Sequence, residues 1–227
     1  IDDPGPSLSA IIQFGSFLAL LWYFRGDIFK YRSQSSKNFY DYLLNEKLFR
    51  SILIGTIPIV LLGAIIKLFV PHFFDDVLRS NLSIALISFL MAIFMYVADN
   101  SKKGSINLKD HNYSDSILIG LSQSLAVIPG VSRSGVTIST ALVSGWKRRD
   151  ATKFSFLLGM PAISLAAMVE FVSSFNEFSL ISFSPLIVGL VTAFLSSLFA
   201  IDFLLKYFSS NGLKIFIIYR VLFGLVI

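Results

Sequence analysis

The sequence predicts an all-α integral membrane protein with about six transmembrane helices plus a re-entrant helical hairpin. Three observations carry that expectation. Composition is the first: 55% of the 227 residues are hydrophobic, 15% are charged, 23 are phenylalanine, and the mean hydropathy is +0.74. A soluble domain averages about 25% charged residues. The second is the division of the chain into long apolar runs separated by short basic connections. The third is an arginine-centred stretch, Pro129-Gly130-Val131-Ser132-Arg133-Ser134-Gly135, in the middle of a block otherwise fit for lipid.

Six apolar runs, at about 8–24, 51–70, 82–98, 154–173, 185–205 and 213–227, have spanning length or close to it. A span takes about 17–25 residues, so the last, at fifteen, is the shortest. Pro58 and Pro161 lie inside two of the runs and are expected to kink them. The block 115–146 is too long for one helix, too short for two full spans, and broken at its centre by Pro129-Gly130. It is expected to fold as a re-entrant hairpin that returns to the face it entered from.

Loop charges agree with that topology. Basic residues concentrate in segments 25–50, 99–114, 147–153 and 206–214. Placing these inside the cell gives an external N-terminus, six alternating crossings and an external C-terminus. The alternation closes only if block 115–146 enters and leaves on the cytoplasmic side. An internal repeat fits the same plan. The run from Ser9 to Ala19 resembles that from Lys153 to Ala162, and Ile52-Leu53-Ile54-Gly55 resembles Leu186-Ile187-Val188-Gly189. Three spans per half invert the second half relative to the first. Residues 1–114 are therefore expected to be a first repeat whose own hairpin is absent, and 115–227 a second repeat with hairpin 115–146 plus three spans.

A charge at bilayer depth costs roughly 2.5–3.5 kcal/mol on insertion scales, which makes Arg133 a functional-site candidate. Its planar fork can hold two oxygens and stays protonated. Ser134 and Thr137 add hydroxyls near a helix start, where freed N–H groups and the dipole favour anions. Ser132 can bind phosphate or act as a nucleophile, although a serine nucleophile needs an adjacent base and none is visible. Gln123, ten residues earlier, can steer water or phosphate, or simply bond backbone. Of the remaining charges in apolar runs, Asp202 and Arg220 are expected to meet as an ion pair, and Glu170 to sit near an external helix end. His72 and His111 lie in loops without partners at ligand spacing and are expected to be solvated. The absence of cysteine excludes disulfides, thiol catalysis and Cys-ligated metal. The net charge of +5 resides in loops and reports topology, so no nucleic-acid partner is expected. The chain opens with Ile1 rather than Met, which suggests a fragment or processed product.

Gly120-x-x-Gln123, the motif from Pro129 to Thr137, and Phe154-Ser155-Phe156-Leu157-Leu158 resemble the undecaprenyl-diphosphate phosphatases, the bacitracin-resistance family. Ile12-Gln13-x-Gly15-Ser16 and Tyr219-Arg220 extend the resemblance across nearly the whole chain. It implies a multi-pass protein of the bacterial plasma (inner) membrane, often a homodimer. The activity implied is removal of the terminal phosphate from undecaprenyl diphosphate, which recycles the lipid carrier of cell-wall synthesis. On this resemblance Arg133 and Ser132 are the catalytic residues, and Gly130, Ser134, Gly135, Thr137 and Gln123 bind substrate. A divalent cation, Mg or Ca, is implied as well. Family members begin with an earlier hairpin carrying Glu-x-x-x-Glu and Ser-Ser-x-Gly-His, and this sequence starts just downstream of it. The metal ligands are therefore expected to lie outside the chain, and the 227 residues alone are expected to lack metal-dependent phosphatase activity. The alternative reading is an isoprenoid-phosphate transporter or flippase, because inverted repeats with broken hairpins also build transporters.

Overall fold

The computed structural model describes residues 5–29, 47–69, 78–173 and 183–227. These form α1 (Gly5–Phe29), α2 (Lys47–Phe69), α3 (Asn81–Asp99), α4 (Tyr113–Ser124), α5 (Arg133–Val143), α6 (Arg148–Ser173), α7 (Phe183–Asn211) and α8 (Lys214–Val226). A single 3-10 turn, Leu125–Val127, follows α4. Among the described residues there is no named strand, and four helices are long and apolar enough to cross a membrane: Lys47–Ile66, Asn81–Asp99, Arg148–Val169 and Ser184–Phe208. The chain is thus an all-α membrane protein. The last expected span is the shortest helix of its group: the 13 residues of α8 rise only about 20 Å. Pro58 and Pro161 both lie inside continuous helices.

Lipid is visible in how α3 distributes its residues. Ser88, Met91, Ala92, Met95 and Ala98 are buried, whereas Leu82, Leu86, Leu90, Ile93 and Val97 form an exposed stripe. A water-facing stripe would be polar; an apolar stripe opposite a buried face is that of a helix with hydrocarbon outside and protein inside. Small residues set the closest crossings. The backbones of α2 and α4 touch at Gly55 and Gly120, where a Cβ on either would overlap the other chain segment.

Packing divides the chain into two compact units, residues 1–42 with 160–206, and 43–159 with 207–227. Each takes segments from both expected repeats. In the first unit Gly15 of α1 lies against Leu190 and Ala193 of α7, and Ser197 donates to Ser16 at 2.9 Å. Tyr23 donates to Asp202 at 3.0 Å, and Lys206 to the same carboxylate at 2.6 Å. Asp202, expected to pair with Arg220, has these two partners instead, and Arg220 donates to the Gly130 carbonyl. Lys206, four residues on, is a local partner for that carboxylate, whereas Tyr23 reaches it from α1, 179 residues away in sequence.

In the second unit the hairpin returns to where it began. Ile106 N–H donates to Gly145 O at 3.0 Å and Lys147 N–H donates to Ile106 O at 2.9 Å, so the segments before α4 and after α5 are joined. Arg148 adds an ion pair to Asp99 and a 2.8 Å bond to its carbonyl. The arms, of 12 and 11 residues, rise about 18 and 17 Å, a little over half of a 30 Å hydrocarbon core.

His111 overturns the expectation of a solvated loop histidine. It is 1% exposed and packs against Trp146 and Phe154, with ring centroids 5.3 and 5.6 Å away. Nδ1–H donates to Leu108 O at 2.6 Å, and in the neutral ring Nε2 accepts from Ser51 at 2.7 Å. The ring therefore ties the loop to α2. Burial, the dominant cause, lowers its pKa from the ordinary 6.5, with the nearby Lys47 charge acting the same way. His72 and the side chain of Glu170 lie outside the described residues.

Candidate functional site at the hairpin turn

The site begins with a tight turn. Val131 N–H donates to Ile128 O at 3.1 Å, with Pro129 and Gly130 at the two central positions and Gly130 at φ +91°. Proline second and positive-φ glycine third is the type II arrangement. Glycine is required twice over, because a Cβ here would also sit 2.9 Å from Ile84 O on α3. Ser132 then caps α5, its hydroxyl accepting from Gly135 N–H at 3.1 Å, and its carbonyl receives the first helical bond, from Val136 at 2.8 Å. The N–H groups of Arg133 and Ser134 fall between these bonds and meet no acceptor among the described residues. They are the orphan donors that make a helix N-terminus an anion site.

Helix α6 packs beside α5 and prepares the place for the arginine. Thr137 and Arg133 are one turn apart on α5, as Ser155 and Gly159 are on α6. Thr137 Oγ1 lies 2.6 Å from Ser155 Oγ and 2.8 Å from the Arg133 carbonyl. One turn on, Gly159 lies against the Arg133 guanidinium, and a Cβ there would overlap Nη1. Arg133 Nη1 is buried with no hydrogen-bond partner, and no carboxylate pairs with the guanidinium among the described residues. Gln123, fully buried near the end of α4, likewise leaves both amide atoms unpartnered. Buried polar groups are nearly always satisfied, so Arg133 Nη1, a donor, and the Gln123 amide, a donor and an acceptor, are candidates to meet a ligand. Ser88, Ser116 and Ser139 Oγ and Trp146 Nε1 are also buried without a partner among the described residues.

The structure thus gathers Gly130, Ser132, Arg133, Ser134 and Gly135 at one helix start. Thr137 is placed differently: it is fully buried and its hydroxyl is committed to Ser155 and the Arg133 carbonyl. Its geometry is that of a residue fixing α5 on α6. Sequence reasoning missed Gly159, although the repeat had matched it to Gly15, and missed Ser155, although both lie in or next to a run singled out for its likeness. The Ser132 hydroxyl bonds Gly135 N–H and, among the described residues, no histidine or carboxylate. Among the described residues no group of three or more His, Cys, Asp or Glu is assembled that could hold a metal ion. The described donor set at the turn is cationic and hydroxylic, which does not fit a divalent cation.

Comparison with known proteins gives the same answer along the whole chain. The family profile described as "Bacitracin resistance protein BacA" matches residues 2–226. A protein of Prochlorococcus marinus strain MIT 9312 named "Undecaprenyl-diphosphatase" is 76% identical over 227 residues, covering 100% of this chain and 85% of that protein. One from strain MIT 9215, with the same name, is 74% identical over the same shares. One from strain MIT 9313, again so named, is 43% identical over 99% of this chain and 76% of its own length. The chain belongs to the bacitracin resistance protein BacA family.

Proposed function

We propose that this chain hydrolyses undecaprenyl diphosphate to undecaprenyl phosphate and inorganic phosphate, as a multi-pass protein of the bacterial plasma membrane that recycles the cell-wall lipid carrier. The observation that carries the reading is the Arg133 guanidinium at the start of α5, charged, unpaired with any carboxylate among the described residues, and holding a buried Nη1 with no partner. Water attacks the terminal phosphorus, the bridging P–O bond breaks, and the lipid phosphate leaves with its oxygen. Negative charge is spread over the phosphoryl oxygens as this happens, so positioned donors contribute most of the catalysis a protein can supply. Arg133 neutralises two of those oxygens, and the N–H groups of Arg133 and Ser134 meet a third. The Ser132 hydroxyl, already accepting from Gly135, retains its own proton to donate. Thr137, through Ser155, keeps α5 in register with α6.

A divalent cation, implied by the resemblance, would need ligands other than the described residues, and no step above is routed through one. A homodimer and the division into inverted repeats 1–114 and 115–227 belong to the same proposal; the return of the hairpin to its starting face supports the latter. The test is release of phosphate from undecaprenyl diphosphate by purified protein in lipid nanodiscs. Arg133→Ala should lower kcat at least 100-fold, about 2.7 kcal/mol of barrier, while detergent-phase Tm holds. Arg133→Lys should recover little, because a point charge cannot replace the fork. Retention of more than about a tenth of the wild-type rate in Arg133→Ala removes Arg133 from the centre of the reaction. Lipid movement across vesicles without phosphate release favours the transporter reading instead.

A further inference from the structure

Arg220 is the second arginine drawn to the hairpin turn. Helix α8 is seated on α3 by Gly224, where a Cβ would lie 3.1 Å from the Phe89 ring and 3.2 Å from Ala85 O. Arg220 precedes Gly224 by one turn and so shares its face. From there Nη1 donates to Gly130 O at 2.5 Å, across 90 residues of sequence. The same Gly130 lies close against Ile84 and Ile87 of α3. The turn is thus held by both α3 and the α8 guanidinium.

We infer that Arg220 is a positioning residue for the hydrolysis proposed above, and that it acts by holding the Gly130 carbonyl. This rests on that functional reading. A positive-φ glycine has little intrinsic barrier to rotating its following peptide. If the Gly130–Val131 peptide rotated, the Val131 N–H would leave Ile128 and a carbonyl oxygen could swing toward the α5 N-terminus. There it would compete with phosphate for the N–H groups of Arg133 and Ser134. A charge-assisted bond to that carbonyl is a strong way to prevent it. One bond to one acceptor is all the clamp requires, so a lysine should serve at 220 though it fails at 133.

Two measurements on the same nanodisc preparations decide this: phosphate release from undecaprenyl diphosphate, and amide hydrogen exchange over residues 125–140. Arg220→Ala should lower kcat about 10-fold or more while KM changes less than about 3-fold, and should speed exchange at the turn. Arg220→Lys should restore both to within about 3-fold of wild type, whereas Arg133→Lys should not. Full turnover with unchanged exchange in Arg220→Ala overturns the clamp. Wild-type exchange but no turnover in Arg220→Lys also overturns it, and makes the Arg220 fork a direct phosphate ligand. Should the wild-type protein release no phosphate, the hydrolase reading fails, and the exchange data alone still confirm or reject the grip on the turn. If Arg220→Ala does not fold, exchange and turnover in Arg220→Lys decide between the same outcomes.

Discussion

His111, just before α4, and Gln123, near its end, handle burial in opposite ways. Before the first turn of α4, His111 is 1% exposed and both ring nitrogens are bonded, one to Leu108 O and one to Ser51. Near its last turn, Gln123 is 0% exposed and neither amide atom is bonded, as is true of Arg133 Nη1 just past the turn. Burial alone does not separate His111 from Gln123; satisfaction does, although Ser116 Oγ on α4 and Trp146 Nε1 beside His111 are also buried without a partner among the described residues. A satisfied group has its desolvation offset inside the fold, whereas an unsatisfied one leaves a cost that a bound ligand can remove. The membrane sharpens this difference, because hydrocarbon supplies no water to complete the count.

The comparison breaks most readily at Gly159. Adding a methyl group there displaces the Arg133 guanidinium, so Gly159→Ala should lower phosphate release about 30-fold or more, roughly 2 kcal/mol, with Tm nearly unchanged. Normal turnover in that variant would show that Arg133 has no need of its seat on α6.

At the other end of α4 the expected loss is in stability. His111→Leu leaves the buried Ser51 hydroxyl without this partner and removes the bond to the half-buried Leu108 carbonyl, which costs about 2 kcal/mol. Turnover per folded molecule should stay within about 2-fold of wild type. The histidine also gives stability a pH dependence. Its folded pKa is lowered from 6.5, chiefly by burial, so the unfolded chain binds more protons in the interval between the two values. Stability is therefore fully present above 6.5 and falls as pH drops through the lowered pKa. Thermal melts of wild type across that interval should show the decline, and His111→Leu should flatten it. A decline of equal size in both proteins would assign the effect to another group.

The smallest effect is expected at Gln123. Gln123→Leu removes two unmatched polar atoms, so stability should hold or rise by up to about 1 kcal/mol, while KM increases about 3- to 10-fold. A substantial fall in Tm would mean that the amide supports the fold, and satisfaction would then fail as the criterion that divides the two ends.

Much of this molecule was legible from residue order alone. The apolar runs dictated helices in lipid, because a backbone in hydrocarbon must satisfy itself locally and composition reports that directly. Basic loops and the broken block pointed to a hairpin, and the bonds of Ile106 to Gly145 and Lys147 bring the two ends of that block together. Pro129-Gly130 announced the type II turn, and Ser132 the helix cap, since both depend on neighbours within four residues.

What sequence could not decide were contacts between elements far apart in the chain. The repeat made Gly15 and Gly159 equivalent, yet one meets α7 backbone and the other an arginine. Arg220 and Asp202 looked like partners because opposite charges attract, but Arg220 bonds Gly130 O, and Asp202 bonds Tyr23 and Lys206. His111 lacked any ligand spacing and was read as solvated, while Ser51, 60 residues away, supplied its second bond. Periodicity and turn chemistry are local and survive in one dimension. Which polar atoms end up satisfied is settled only when every helix has taken its place.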